Sequence, residues 1–454
     1  MRRIRGTRRV ATGIGPWLVA LVVIAVSVHW GRRLQVTEPN IRLGAAPLVG
    51  EDKRDGWDWR FDRNLLSAGG VGLIVTLAVS RPWWWRWPRA AVTAFTSLAA
   101  ACFATLLALA DGVEGHGELL RGAEHPTEYL ANLATAPPAG DFVRGFVADI
   151  DRYSVHVRGH PPGFVLVLKM LDRVGLDGPW PVVGLSVLGT ALVPVAVLSA
   201  VGAVGGDHWV RRSAPLLAVS PYALWQMTSA DAVFSAVGAL GVACCLLGLA
   251  SNGWRAWRWG IAGGALLAGL LFLTYGGALF LLVPGLPVAV ALWRRVAAAA
   301  AVAAGAVMAA AAVTAAFAAA GFWWFDGVAE TQRQYWAGTA RLRPAGYFAL
   351  ANVAVALIAI GPGGFAGLTS LWRHRRHPPP FAVVTVGALL AVAGSNLSQL
   401  TKGEVERIWL LFYPWLVVSG GLVVAAERRW RSAALVASQA AIGVVMQAVL
   451  VSKW

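Results

Sequence analysis

The feature that most constrains this chain is a succession of thirteen long apolar runs set apart by short charged segments. They cover residues 14–30, 66–80, 90–110, 180–203, 213–227, 231–250, 259–275, 276–293, 297–319, 346–370, 380–396, 408–425 and 433–451. A bilayer core is crossed by roughly 20 apolar residues of helix, and inside it each backbone polar group must be satisfied within protein. The expected fold class is therefore all-α. It is a polytopic transmembrane helical bundle of about 13 spans, with a long outer loop containing juxtamembrane amphipathic helices. A transmembrane barrel is excluded, because its strands alternate apolar and polar residues. Composition agrees: 57% of the 454 residues are hydrophobic and 14% charged, where soluble domains carry about 25% charged residues.

A net charge of +16 raises the question of nucleic acid, and the placement of the charge answers it. Arginines sit in short clusters between apolar runs, such as Arg81/Arg86/Arg89, Arg211/Arg212 and Arg373/Arg375/Arg376. No extended basic tail interleaved with aromatics is present, so no nucleic-acid partner is expected. Five arginines within Met1–Arg9 precede the first run, which places the N-terminus in the cytoplasm. His29-Trp30-Gly31-Arg32 offers no small-residue cleavage site, so this run reads as an uncleaved signal anchor. With that start, the inside segments hold 20 Arg/Lys against two acids, and the outside segments hold 19 against 21. The whole positive excess falls on one side, as expected of a plasma-membrane protein whose basic face meets lipid headgroups. Cys102, Cys244 and Cys245 all lie inside apolar runs and suit core packing. Clusters such as Trp83-Trp84-Trp85 and Trp323-Trp324 read as interfacial anchors.

The longest polar stretch, Asp111 to Pro179, lies outside and carries ten acids and six basic residues. Within it, Phe142, Val143, Phe146, Val147 and Ile150 recur at helical spacing, which predicts a short amphipathic surface helix between Pro137 and Tyr153. A second short helix is expected after His160-Pro161-Pro162-Gly163, over Phe164–Val174, too short to span. The intervening segment sets His156, Arg158 and His160 within five residues of one another. It is either a surface turn with arginine on lipid phosphate, or an anion site able to neutralise a phosphate leaving group. Acids at span ends form the other constellation: Asp111 with Glu114 one turn on, and Asp231 between two spans. An ionisable group at membrane depth is a functional hypothesis by default. Such a carboxylate suits general-base work toward a hydroxyl, while Asp231 also suits a helix N-cap. Glu406 and Arg407, entering the run at 408–425, read as a local ion pair or a further wall of the same site.

The order of these features resembles the GT-C superfamily of integral membrane glycosyltransferases, nearest the protein O-mannosyltransferase and aminoarabinose-transferase branch. The resemblance rests on Asp111 opening the long outer loop, on His160-Pro161-Pro162 before the next span, and on Asp231 between the following two spans. Thr274-Tyr275-Gly276-Gly277 also fits a family turn. It covers residues 90–300, with an N-terminal unit at 1–89 holding the signal anchor and one more span. Residues 301–454 supply further transmembrane helices. The chain departs from the family in following Asp111 with Gly-Val-Glu, where members commonly show paired acids near the first site, and in having histidine where some members have lysine.

The resemblance implies transfer of a sugar, with inversion, from a polyprenyl-phosphate donor to a hydroxyl on a glycan, lipid or protein acceptor at the extracytoplasmic face. Asp111 would be the base, and His156, Arg158 and His160 would meet the lipid phosphate. Asp231 would position a sugar or complete a metal site with Asp111, with Glu114, Glu406 and Arg407 as lesser candidates. No cofactor is required, and a divalent metal is possible. The competing readings are a transporter or flippase for a lipid-linked glycan or anion, and a scaffold that keeps only the fold.

Overall fold

Apolar runs with few polar side chains leave most of the backbone no partner but itself, and helix is the result almost throughout the described residues. The computed structural model describes residues 15–38, 41, 43, 61–112, 126–227 and 230–450. Its helices are α1 (Gly15–Thr37), α2 (Arg63–Ser80), α3 (Arg89–Ala108), α4 (Ala139–Gly145), α5 (Val155–Arg158), α6 (Gly163–Arg173), α7 (Pro179–Gly205), α8 (Asp207–Ala218) and α9 (Asp231–Leu249). They continue as α10 (Gly253–Leu273), α11 (Gly277–Trp293), α12 (Ala297–Ala319), α13 (Trp324–Ala337), α14 (Ala345–Arg373), α15 (Ala382–Ser398), α16 (Val405–Ile408), α17 (Tyr413–Val417) and α18 (Arg429–Val449). Local sequence explains several starts. Asp62 accepts a hydrogen bond from the Asn64 amide (2.6 Å) at the head of α2, as a good N-cap does. Pro179 opens α7, where a missing N–H costs nothing.

Among the described residues, nine helices are long and apolar enough to cross a membrane, so the chain is an integral membrane protein with an all-helical bundle. These nine correspond to nine of the thirteen predicted runs. The other four take different forms. Gly277–Trp293 and Ala382–Ser398 are shorter apolar helices. The run at 213–227 is the end of α8, a break at Val219, and a separate 3-10 turn over Pro221–Trp225. The run at 408–425 is a chain of short helical turns, buried without interruption from Trp409 to Gly421.

The irregular segments lie in the interior, and side chains take up the backbone groups they free. Ser235 donates to the Leu410 carbonyl (3.1 Å), Thr385 to Trp415 (3.0 Å) and Ser213 to Val418 (3.2 Å). A third break falls inside α14 at Gly361, whose φ of +64° suits glycine, followed by Pro362. Gln439, midway along α18, ties two of these breaks together. Its amide nitrogen donates to the Ile360 carbonyl (2.8 Å) and to Ser220 Oγ (3.3 Å), and its oxygen accepts from the Gly363 amide (2.8 Å).

At one end of the bundle the arginine-bearing turns meet. Trp84 donates to the Arg211 carbonyl (3.2 Å), Arg211 donates to the Trp87 carbonyl (2.8 Å), and Arg89 donates to the Ser199 carbonyl (2.8 Å). Trp84 is wholly buried there. It is a core residue where an interfacial anchor was expected, because it fills the space between the α2–α3 turn and α8. At the other end, the segments 126–178, 320–344 and 399–407 interlock as a cap. The expected amphipathic helix at 137–153 is α4 plus a 3-10 turn at Ile150–Arg152, burying Phe142, Val143, Phe146 and Ile150. The helix after His160-Pro161-Pro162 is α6. Tyr335 and Gln334 of α13 bind across to Gln399 and Asp151.

Candidate functional site

The cap brings together residues from three distant parts of the chain. Arg407 lies in α16, which follows a reversal at Gly403 and Glu404, both with positive φ. Its placement is held by Tyr413, whose hydroxyl donates to the Val405 carbonyl (2.8 Å). The segment Thr127–Asn132 is hooked to the start of α5. The His156 amide donates to the Thr127 carbonyl (3.0 Å), Ser154 Oγ to the Glu128 carbonyl (3.0 Å), and the Ser154 amide to Asn132 Oδ1 (2.6 Å). Asp231 is the first residue of α9.

The three meet around one guanidinium. Arg407 Nε lies 3.3 Å from Asp231 Oδ2, Nη1 3.4 Å from Glu128 Oε1, and Nη2 3.3 Å from His156 Nδ1. All four side chains are buried, Arg407 with 5% of its surface exposed. Arginine only donates, so His156 Nδ1 is the acceptor and the imidazole proton sits on Nε2. That nitrogen is 3.3 Å from Glu128 Oε1 and donates to it. A buried charge is tolerated only when paired, and here one cation stands between two carboxylates.

Glu128 is the least settled member. Its Oε2 is buried with no hydrogen-bond partner. Burial pushes its pKa up to about 7, with Asp231 adding to the rise and Arg407 opposing it. The neighbouring Tyr129 hydroxyl is also buried without a partner, and burial beside Asp231 and Glu128 raises its pKa. Half-buried His160 adjoins the group. Its Nδ1–H donates to the His156 carbonyl (2.9 Å), and its ring lies 5.8 Å from Tyr129 and 5.6 Å from Phe234. Burial lowers its pKa, so the ring is neutral with a lone pair on Nε2. Gly163 lets this corner close: a Cβ there would lie 2.2 Å from the Phe272 carbonyl oxygen at the end of α10.

Of the residues singled out in the sequence, His156, His160, Asp231 and Arg407 thus share one site. Asp231 is not the N-cap of α9. That position is Ala230, and the Asp231 carboxylate faces Arg407 instead. Arg158 is drawn aside to α13, with Nη1 3.4 Å from Gln334 Oε1 and its carbonyl accepting from Thr331 (3.0 Å). Glu406 is wholly buried, and neither carboxylate oxygen has a hydrogen-bond partner. Burial, augmented by Glu404, raises its pKa well above the usual carboxylate range. The backbone of Asp111 ends a 3-10 turn after α3, while its side chain and all of Glu114 lie outside the described residues. Glu128 is the residue that sequence reading missed. It is one of ten acids in its loop, and its only signal is that Tyr129, Leu130 and Leu133 follow it.

Among the described residues, no group of three or more His, Cys, Asp or Glu is placed to hold a metal ion. The position between Glu128 and Asp231, where a cation would be bound, is filled by the Arg407 guanidinium. Compared with protein-family models, with curated proteins and with solved structures, the chain matches none.

Proposed function

We propose that this chain is a membrane glycosyltransferase of the GT-C type. It would move a sugar from a polyprenyl-phosphate carrier to a hydroxyl acceptor at the extracytoplasmic face of the plasma membrane, with inversion. The observation that carries this reading is the buried Arg407–Glu128–His156–Asp231 cluster, at the end of the bundle away from the arginine-rich turns. Buried ionisable groups gathered at one place, with Glu128 pushed up by desolvation, favour chemistry over packing. The same reading takes all thirteen apolar segments as crossings, the short and broken ones included, with the N-terminus cytoplasmic and the cap outside.

In the reaction, the acceptor oxygen attacks the anomeric carbon as its proton passes to a carboxylate. The bond from that carbon to the phosphate oxygen then breaks on the opposite face. Asp111 is the assigned base, and Asp231, held by Arg407, positions the sugar. Neutral His160 offers a lone pair, which suits accepting a hydroxyl more than meeting an oxyanion. The fixed cation for the departing phosphate is therefore Arg407, since Arg158 is held aside by α13.

The test is a transfer assay on purified, reconstituted protein supplied with polyprenyl-phosphate mannose or arabinose and a panel of hydroxyl acceptors. Release of polyprenyl phosphate by wild type and its loss in Asp111→Asn is the expected result. A second reading, a flippase for the same lipid, is favoured by the breaks at Val219, Gly361 and 408–425, since discontinuous helices mark transporters. Movement of labelled donor across a vesicle wall without release would select it.

A further inference from the structure

The charge count around Arg407 does not suit an anionic ligand as it stands. One guanidinium faces two carboxylates, so the ionised cluster carries a net charge of −1. A phosphate monoester carries close to two negative charges above about pH 6. It can reach Arg407 only if one carboxylate gives way. Asp231 is not the one to do so, because it stands in the first turn of α9, where the helix dipole favours a negative charge. Glu128 has no such support. One of its oxygens is buried with no partner, and the other is shared between Arg407 and His156 at 3.3–3.4 Å.

We propose that Arg407 is the receptor for a phosphate monoester, and that binding is coupled to uptake of one proton by Glu128, which releases the guanidinium to the ligand. The proposal takes the ligand class from the transferase reading, but the coupling follows from the cluster itself. The proton comes from bulk water and stays on the Glu128 carboxyl, which then keeps its place beside His156 as a neutral acid. In a transfer reaction the balance is natural. A singly charged phosphodiester becomes a doubly charged monoester as the sugar departs, and Glu128 removes the one charge that has been added. The groups that face Glu128 are Arg407 and Glu404 from the 399–408 segment, Asp231 from α9, and His156 from α5. Tyr129 lies beside it, and burial holds the pKa of that hydroxyl well above its usual value.

Calorimetry on the full-length protein in lipid nanodiscs tests this directly. Inorganic phosphate and a long-chain isoprenyl phosphate are titrated separately at about pH 8, in two buffers of different ionisation enthalpy. Uptake of close to one proton per ligand is expected, with affinity falling about tenfold per pH unit between about pH 7.5 and 9. Glu128→Gln should bind with no uptake and no pH dependence over that range. Uptake with both ligands would mean that the phosphate group alone is recognised; uptake with the lipid only would mean that the chain is needed to seat it. Binding without uptake in wild type, or binding of neither ligand, would overturn the proposal. So would a Glu128→Gln protein that keeps the pH dependence. The two-buffer comparison needs no variant, so a misfolded Glu128→Gln leaves the question answerable. Proton-coupled binding without sugar transfer would remove the transferase and keep this inference. Transfer with proton-free binding would do the reverse.

Discussion

At the scale of single residues, Glu128 sets an expected pH response of stability. Its usual value near 4.5 is raised to about 7 by burial, against the pull of Arg407. Between those values the folded protein holds a proton that the unfolded chain has released. The contribution of Glu128 to stability therefore falls as pH rises from about 4.5 to 7, and is level above that. The size is on the order of 3 kcal/mol at most. Glu406 acts in the same direction, so the quantity to read is the difference in thermal midpoint between wild type and Glu128→Gln in detergent. That difference should change steadily up to about pH 7 and then stop; a constant difference over the whole range would contradict the assignment. Arg407 and Asp231 were visible in the sequence because an ionisable group at the edge of an apolar run is conspicuous. Glu128 was not, because its partners are supplied by residues 28 positions (His156) to 279 positions (Arg407) away, and its loop is full of acids.

At the scale of elements, α6 and the turn before it decide where His160 stands. Pro161 and Pro162 end one short helix and start the next, which local rules foresee. The glycine after them answers to tertiary contact, since Gly163 meets the end of α10 at backbone distance. Gly163→Ala should push α6 away from Phe272, lowering stability by about 1–3 kcal/mol as an overpacked site does. It should also weaken donor use, because His160 moves with the turn. Unchanged melting and unchanged transfer in that variant would show that the corner is loose. The same element scale explains why 408–425 was expected as a single span. Its composition is predominantly apolar, and its local breakers, Pro414 and the Gly420-Gly421 pair, do not by themselves announce that Trp409–Gly421 folds as successive short turns. Those turns persist because Ser213, Ser235 and Thr385 from other helices accept the burden of their free carbonyls.

At the scale of the whole molecule, the proposed orientation makes a labelling prediction. Single cysteines placed in the cap, at Gln399 or in place of Thr339, should react with an impermeant maleimide in intact cells. Cysteines replacing Arg86 or Arg375 should react only after permeabilisation. The reverse pattern would turn the molecule over and take the extracytoplasmic site with it. By itself, the sequence determined that the chain is a helical membrane bundle, where most long helices run, and which of its turns are basic. Those properties follow from residue-by-residue transfer between water and lipid and from local helix propensity, and both are written in consecutive residues. Only the tertiary structure decided that four apolar runs are short or broken, that Gln439 joins the breaks at Ser220 and Gly361, and that Glu128 faces Arg407. Interior polar groups are satisfied by whichever partner the packing brings within reach, and that choice has no local signature.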